Sequence, residues 1–241
     1  RGIRVTLQWK DLLRVQLRAA LRASAHGDLR LMFPMITTLD EVLEIKETIK
    51  ELRTQLLEQG YEIADKVSLG IMIEVPAAVF TLKQIIEEID FVSVGTNDMV
   101  QYLLPADRDN PFVGKLYDPH QPAVIEALSY VARIAKAEGK QCSVCGEMAG
   151  EHMNALLLMG MGYDGLSVAP NFISEVKYAI RRTPKQSSEE IFREVAAERE
   201  ASSRLSRRRE SFASICACSR TSRSCRCWRS IASRYSGSAS R

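Results

Sequence analysis

Two apolar runs, each closed by a carboxylate, constrain this chain more than any other feature. The first is Ser68-Leu69-Gly70-Ile71-Met72-Ile73-Glu74-Val75-Pro76, and the second is Phe91-Val92-Ser93-Val94-Gly95-Thr96-Asn97-Asp98. Short apolar runs without polar alternation read as strands buried on both faces, as in a parallel sheet. Between them, Ala77 to Ile89 is long enough for a helix, with Pro76 placed to start it. The three segments make a β-α-β unit with a right-handed crossover. Its strands are then parallel neighbours about 4.8 Å apart. Glu74 and Asp98 both fall at carboxyl strand ends, where their side chains can converge. Two carboxylates held together repel unless a cation lies between them. Mg²⁺ suits the pair, because it accepts a few carboxylates and keeps positions open for substrate oxygens.

The same alternation continues on both sides. Residues 1–7 read as a short extended or loop segment, and Asp11 to Ala25 as a helix. Leu29 to Ile36 reads as a buried strand. Thr38-Leu39-Asp40-Glu41 has the form of a capping box, and the helix it opens carries Val42, Ile45, Ile49, Leu52 and Leu56 up to Gly60. Residues 99–121 read as one long loop rich in Pro and Asp, and loops of that length in a compact domain are usually functional. Pro122 to Glu138 reads as a helix, Gln141 to Cys145 as a strand, Met153 to Met159 as a helix and Gly165 to Val168 as a strand. Phe172 to Arg182 and Ser188 to Glu200 complete the helices. Strands near 29, 67, 91, 141 and 165, alternating with helices, predict an α/β fold with a parallel sheet. Carboxylates at carboxyl strand ends favour a (β/α)₈ TIM barrel over an open doubly wound sheet. The absence of a glycine-rich phosphate loop after the first strand points the same way. Five β/α units are too few to close such a barrel, so a partial barrel is expected.

Composition separates a body from a tail. The 241 residues carry a formal charge of +3. Residues 201–241 hold ten Arg, no Lys and one acid, Glu210, so the first 200 residues are net acidic. Such a body has no nucleic-acid footprint. The tail is mostly Ser, Arg and Cys without apolar period, and reads as disordered and non-native or out of frame. Cys216, Cys218, Cys225 and Cys227 belong to it, whereas the body has only Cys142 and Cys145. A body so poor in cysteine suits a reducing cytoplasm. No apolar run approaches the roughly 18 residues of a membrane span, and no secretory pattern opens the chain. Because it begins at Arg1 inside a motif, the chain is expected to be a fragment.

Four motifs in order carry a family resemblance. Met72-Ile73-Glu74-Val75-Pro76-Ala77-Ala78, Ser93-Val94-Gly95-Thr96-Asn97-Asp98, Ala106-Asp107-Arg108 and Cys145-Gly146-Glu147-Met148-Ala149-Gly150 resemble the phosphoenolpyruvate-binding domain of enzyme I. Enzyme I opens the bacterial phosphoenolpyruvate:sugar phosphotransferase system, and pyruvate phosphate dikinase and phosphoenolpyruvate synthase are its relatives. The resemblance runs from Arg1 to about Glu200. Arg1-Gly2-Ile3-Arg4 with Glu74-Val75-Pro76 is more similar to the nitrogen-related paralogue.

The resemblance implies a Mg²⁺-dependent transfer of the phosphoryl group from phosphoenolpyruvate to a protein histidine, with release of pyruvate. It implies Glu74 and Asp98 as Mg²⁺ ligands and Asn97, Asp98 and Arg108 as substrate contacts, with Arg1 or Arg4 as a second phosphate arginine. Cys145 matches the family's proton donor to C3 of enolpyruvate. Cys142 lies on the opposite face of the same strand and reads as packing. His26, His120 and His152 read as surface or loop residues. The family's phosphorylated histidine and its phosphocarrier partner belong to a separate N-terminal domain. A homodimer is implied for the intact parent, and the fragment alone is expected to be inactive. Two other readings stay open: a Mg²⁺-dependent carbon–carbon lyase of the citrate-lyase type, and a catalytically silent dimerisation or ligand-sensing module.

Overall fold

The computed structural model describes residues 2–201. Five short apolar runs form one parallel sheet: β1 (Arg30–Phe33), β2 (Ser68–Ile73), β3 (Phe91–Gly95), β4 (Gln141–Cys145) and β5 (Gly165–Ser167). Their spatial order is β1-β2-β3-β4-β5, the order of the sequence. The sheet does not close, because β1 and β5 do not pair with each other. This is the α/β, partial-barrel architecture that the alternation predicts. The expected tail lies outside the described residues.

Period-two geometry gives the sheet two unlike faces. Leu69, Ile71 and Ile73 of β2, Val92 and Val94 of β3 and Val144 of β4 are buried and share a core with helical Leu21, Leu52 and Leu128. The alternate positions form the concave face and are less covered: Met32 is 41% exposed, and Met72, Ser143 and Cys145 are half-buried. Gly70 pairs with Phe91 on this face, and a Cβ at Gly70 would lie 2.4 Å from the Phe91 ring. Glycine there lets the aromatic ring lie flat across β2.

The helices are α1 (Ile3–Gln8), α2 (Lys10–Ala23), α3 (Leu39–Glu58), α4 (Pro76–Phe80), α5 (Leu82–Ile85), α6 (Thr96–Leu103), α7 (Pro122–Ala137), α8 (Glu147–Gly150), α9 (His152–Met161), α10 (Ile173–Arg182) and α11 (Lys185–Ala201). Among the described residues, no helix is long and apolar enough to cross a membrane. The expected capping box at α3 forms. Thr38 Oγ1 accepts from the Glu41 amide at 3.3 Å, and the Glu41 carboxylate accepts from the Thr38 amide at 3.1 Å.

Three expectations are corrected. The opening segment is helix α1, not a loop: Ile3 is fully buried, and its amide donates to the Pro34 carbonyl at 3.3 Å. The segment from Ala77 to Ile89 is not one helix. It breaks at Thr81, whose hydroxyl turns back to the Ala77 carbonyl at 2.9 Å, and continues as α5 and a 3₁₀ turn. The long loop begins only after Leu103, because Thr96 to Leu103 is α6; tertiary contact with α7 and α8 makes a helix where no apolar period is visible.

Helix α11 lies against α9 at a close crossing. A Cβ on Gly160 would sit 2.1 Å from the Ser188 carbonyl oxygen, which belongs to the α11 backbone and cannot step aside alone. The Ser188 hydroxyl is buried at this crossing without a hydrogen-bond partner. Gly160→Ala is therefore expected to cost about 1–3 kcal/mol in urea unfolding, as overpacking does. Ser188→Ala, which deletes an unsatisfied buried polar group, should be neutral or stabilising in the same assay. An unchanged midpoint for Gly160→Ala would show that α11 does not dock as described.

Candidate active site

Parallel pairing brings the carboxyl ends of β2, β3 and β4 to one level. Ile73 pairs with Val94, and Gly95 pairs with Cys145. Glu74, directly after Ile73, is therefore level with Gly95 and Cys145. Glu74 is 3% exposed, and its Oε1 accepts from the Met35 amide at 2.7 Å. Met35 adopts φ +60, a left-handed conformation uncommon for a residue with a side chain, and so turns its N–H toward the carboxylate. Gly95 supplies the room: a Cβ there would lie 2.7 Å from Glu74 Oε2. Any larger residue at the end of β3 would push into this carboxylate.

Asn97 and Asp98 stand in the first turn of α6, one step beyond the strand end assigned to Asp98 by sequence. A carboxylate in the first helical turn is favoured by the helix dipole. This turn is tied to the end of β4. Thr96 Oγ1 donates to the Cys145 carbonyl at 3.0 Å, and Asn97 Oδ1 accepts from the Glu147 amide at 3.1 Å. Gly146, at φ +114, permits that approach, because a Cβ would lie 2.3 Å from Thr96 Oγ1.

Cys145 ends β4 on the concave face, and its Sγ–H donates to the Val94 carbonyl at 3.5 Å. Burial pushes its thiol above the ordinary value; a hydrogen bond from Ser93 pulls it partly back, and the charge of Glu74 pushes it up again. The net result is a neutral, proton-bearing thiol beside the buried carboxylate. Cys142 faces the core, where burial drives its thiol up to about 12, in keeping with a packing role.

Arg108 lies exposed in the loop between α6 and α7, and Tyr117 of the same loop is half-buried. Tyr117 in turn donates to the Asn97 carbonyl at 3.1 Å. Arg1 lies outside the described residues. The chain next to it passes close by, since a Cβ on Gly2 would sit 2.5 Å from the Met35 side chain. The Arg4 guanidinium meets Thr37 at 3.3 Å and Glu41 at 3.8 Å. His120 is an exposed loop residue, and its Nε2 meets Asn154 Oδ1 at 2.7 Å and its Nδ1 meets Asp118 at 3.2 Å.

The structure thus gathers Glu74, Asn97, Asp98 and Cys145 around three adjacent strand ends, and the loop that carries Arg108 is tied to the same edge by the bond from Tyr117 to the Asn97 carbonyl. As to a metal, no group of three or more His, Cys, Asp or Glu suited to hold an ion occurs among the described residues. A carboxylate pair still fits a hard cation that completes its shell with water and substrate oxygens. The space beside Glu74 Oε2, kept open by Gly95, is consistent with that fit. Sequence reasoning missed Met35, Ser93 and Tyr117. Only Ser93 carried a signal, as a polar residue placed two before Gly95 on the concave face.

The chain is 41% identical over 191 residues to the phosphoenolpyruvate-protein phosphotransferase of Geobacillus stearothermophilus, covering 79% of this chain and 33% of that one. It is 42% identical over 181 residues to the protein of that name in Haemophilus influenzae, covering 75% and 32%. It is 39% identical over 189 residues to that of Bacillus subtilis, covering 78% and 33%. The chain therefore spans about a third of the length of these curated relatives. Among solved structures, a citrate lyase from Burkholderia xenovorans aligns with TM-score 0.55 at 20% identity, covering 78% of this chain and 59% of that one. That likeness speaks to the fold alone. Residues 1–184 match the family described as PEP-utilising enzyme, PEP-binding domain, and the chain belongs to that family.

Proposed function

We propose that this chain is the phosphoenolpyruvate-binding portion of a Mg²⁺-dependent phosphoenolpyruvate-protein phosphotransferase, which passes the phosphoryl group to a protein histidine. The observation that carries the reading is the placement of a buried carboxylate, Glu74, and a protonated thiol, Cys145, at the same level of adjacent strand ends. In this reading Glu74 and Asp98 hold Mg²⁺. Bound there, the ion would offset negative charge on the carboxylate and phosphate oxygens of the substrate. Arg108 offers a planar guanidinium to the phosphate. Asn97 orients the substrate near Asp98. Once the phosphoryl group has moved to the acceptor imidazole, the enolpyruvate needs one proton at C3. Cys145 gives it from Sγ, leaving a thiolate and pyruvate. Burial keeps that proton on sulfur until it is needed, and Ser93 stabilises the thiolate that remains. Arg1 stays in the proposal as a second phosphate contact. The acceptor is a histidine phosphocarrier served through another domain of the parent, which forms a homodimer in the cytoplasm. On its own, this portion lacks the positioned acceptor and is expected to bind rather than turn over.

Calorimetric titration of phosphoenolpyruvate into the purified chain should give Mg²⁺-dependent heat. Asp98→Ala and Glu74→Gln should each weaken that binding at least about tenfold, equivalent to about 1.4 kcal/mol. Wild-type affinity in either variant would remove the carboxylate from the metal site.

The thiol gives an independent check. Alkylation needs thiolate, and a raised thiol pKa means the neutral form dominates through the neutral range. Peptide-mapped labelling of Cys145 by iodoacetamide should therefore be slow at pH 7 and reach its midpoint above the ordinary 9.0. A midpoint below that value would contradict a resting proton donor.

A further inference from the structure

We infer that His120 is a positioning residue: it pegs the loop that carries Arg108 to helix α9 through the buried amide of Asn154. The inference rests on the proposed role of Arg108 as a phosphate contact and deepens it. Asn154 is 2% exposed and heads the apolar run Ala155-Leu156-Leu157-Leu158 of α9. Packing alone would be served by an apolar side chain there, and a buried amide is tolerated only where its polar atoms are met. The Asn154 Nδ2 donates to Glu151 Oε2 at 2.8 Å, and the Oδ1 meets His120 Nε2 at 2.7 Å. A carboxylate only accepts, so Glu151 fixes which way the amide points. The amide oxygen is then turned to the imidazole, and the proton of that bond is on Nε2. The other side of the ring is braced within the loop. Its Nδ1 lies 3.2 Å from Asp118 Oδ1, which also accepts from the His120 amide at 2.9 Å.

The peg reaches Arg108 because the loop between them is a run of closed turns. The Asn110 amide donates to the Asp107 carbonyl at 3.2 Å, and the Gly114 amide to the Asn110 carbonyl at 2.7 Å. The Tyr117 amide donates to the Gly114 carbonyl at 3.0 Å, and the Gln121 amide to the Asp118 carbonyl at 3.2 Å. Gly114 also backs onto Arg108, since a Cβ there would lie 3.2 Å from the Arg108 carbonyl oxygen. Ala106 is fully buried where the loop enters, and His120 is bonded to α9 where it leaves. The bonds form a circuit. The Glu147 amide donates to the Asn97 side chain at 3.1 Å, and the Tyr117 hydroxyl donates to the Asn97 carbonyl at 3.1 Å. Glu151 joins α8 to α9 and orients Asn154, which meets His120 and so returns the path to the loop. A loop held to the carboxyl edge at two points resists pivoting, whereas one held at a single point swings. Asn97 keeps its bond to the Glu147 amide with or without the peg, so the element that the peg positions is the loop. An arginine ordered in advance loses less freedom on binding, and the gain appears as affinity.

Nitrogen-15 spectra of the ligand-free chain in mildly acidic buffer should show His120 Nε2 as an N–H whose proton exchanges slowly with solvent. His120→Leu removes the donor, and His120→Gln keeps an N–H at similar reach. In His120→Leu, the amides of Asn110, Gly114 and Tyr117 should exchange several-fold faster, while those of β3 keep wild-type protection. With Mg²⁺ and phosphoenolpyruvate, His120→Leu should weaken binding roughly fivefold, and His120→Gln should restore most of it. Arg108→Ala should weaken binding further, and the His120→Leu, Arg108→Ala double variant should bind no worse than Arg108→Ala alone. A freely exchanging Nε2 proton in the wild-type chain would overturn the inference without recourse to any variant. Wild-type protection of the loop amides in His120→Leu would also overturn it, as would additive losses in the double variant. Wild-type binding in His120→Leu beside a weakened Arg108→Ala would sink the peg and spare the substrate role of Arg108. Wild-type binding in Arg108→Ala would sink that substrate role, and with it the positioning of a phosphate contact by His120.

Discussion

The in-register parallel pairing of β2, β3 and β4 is the constraint on which the rest of this structure depends. Ile73 opposite Val94 and Gly95 opposite Cys145 bring three strand ends to one height. Strands about 4.8 Å apart then present neighbouring side chains to a single small space. A slip of one residue in either pairing would turn Glu74 or Cys145 to the other face of the sheet. The chemistry of the site is thus specified by register before any side chain makes a contact. Gly95, in the middle of the three, matters because it contributes no side chain to that space.

A buried carboxylate is costly unless its charge is met. Glu74 is met on one oxygen by the Met35 amide, which is available only because Met35 departs from ordinary backbone geometry. The residues around it are joined into a frame. Thr96 holds the β4 end to α6, the Glu147 amide holds Asn97, and Tyr117 holds the loop. Each of these bonds links two carboxyl-edge turns rather than stabilising one element. On the proposed function, such a frame would restrain the relative positions of the groups that meet substrate, which is what phosphoryl-transfer catalysis chiefly requires.

Much of this was legible in the amino-acid sequence because it follows from local pattern. Continuous apolar runs identify the buried strands, and the Thr38–Glu41 pair identifies the start of α3. Glu74 and Cys145 stand out because they break apolar runs at their ends. Other features depend on tertiary context. Helix α1 was misread because a six-residue segment shows little period, and its buried Ile3 is held by the Pro34 carbonyl. Helix α6 has no signal in the sequence, because Thr96, Asn97 and Asp98 are typical of loops and caps and no apolar period follows them. Met35 had no signal at all, since its role is played by a backbone N–H. Tyr117 lay inside a loop without period, where sequence gives no indication that the chain doubles back on Arg108.

On the proposed function, Glu74 and Asp98 would hold one metal ion beside the bound phosphoenolpyruvate. Crystals of the chain grown with Mn²⁺ in place of Mg²⁺, together with phosphoenolpyruvate, test it directly through the anomalous signal of the metal. The expected result is one strong peak beside the Glu74 and Asp98 carboxylates, with the phosphate of the ligand turned toward Arg108 and its C3 toward the Cys145 sulfur. A metal peak away from this carboxylate pair, or phosphoenolpyruvate bound elsewhere on the chain, would contradict it.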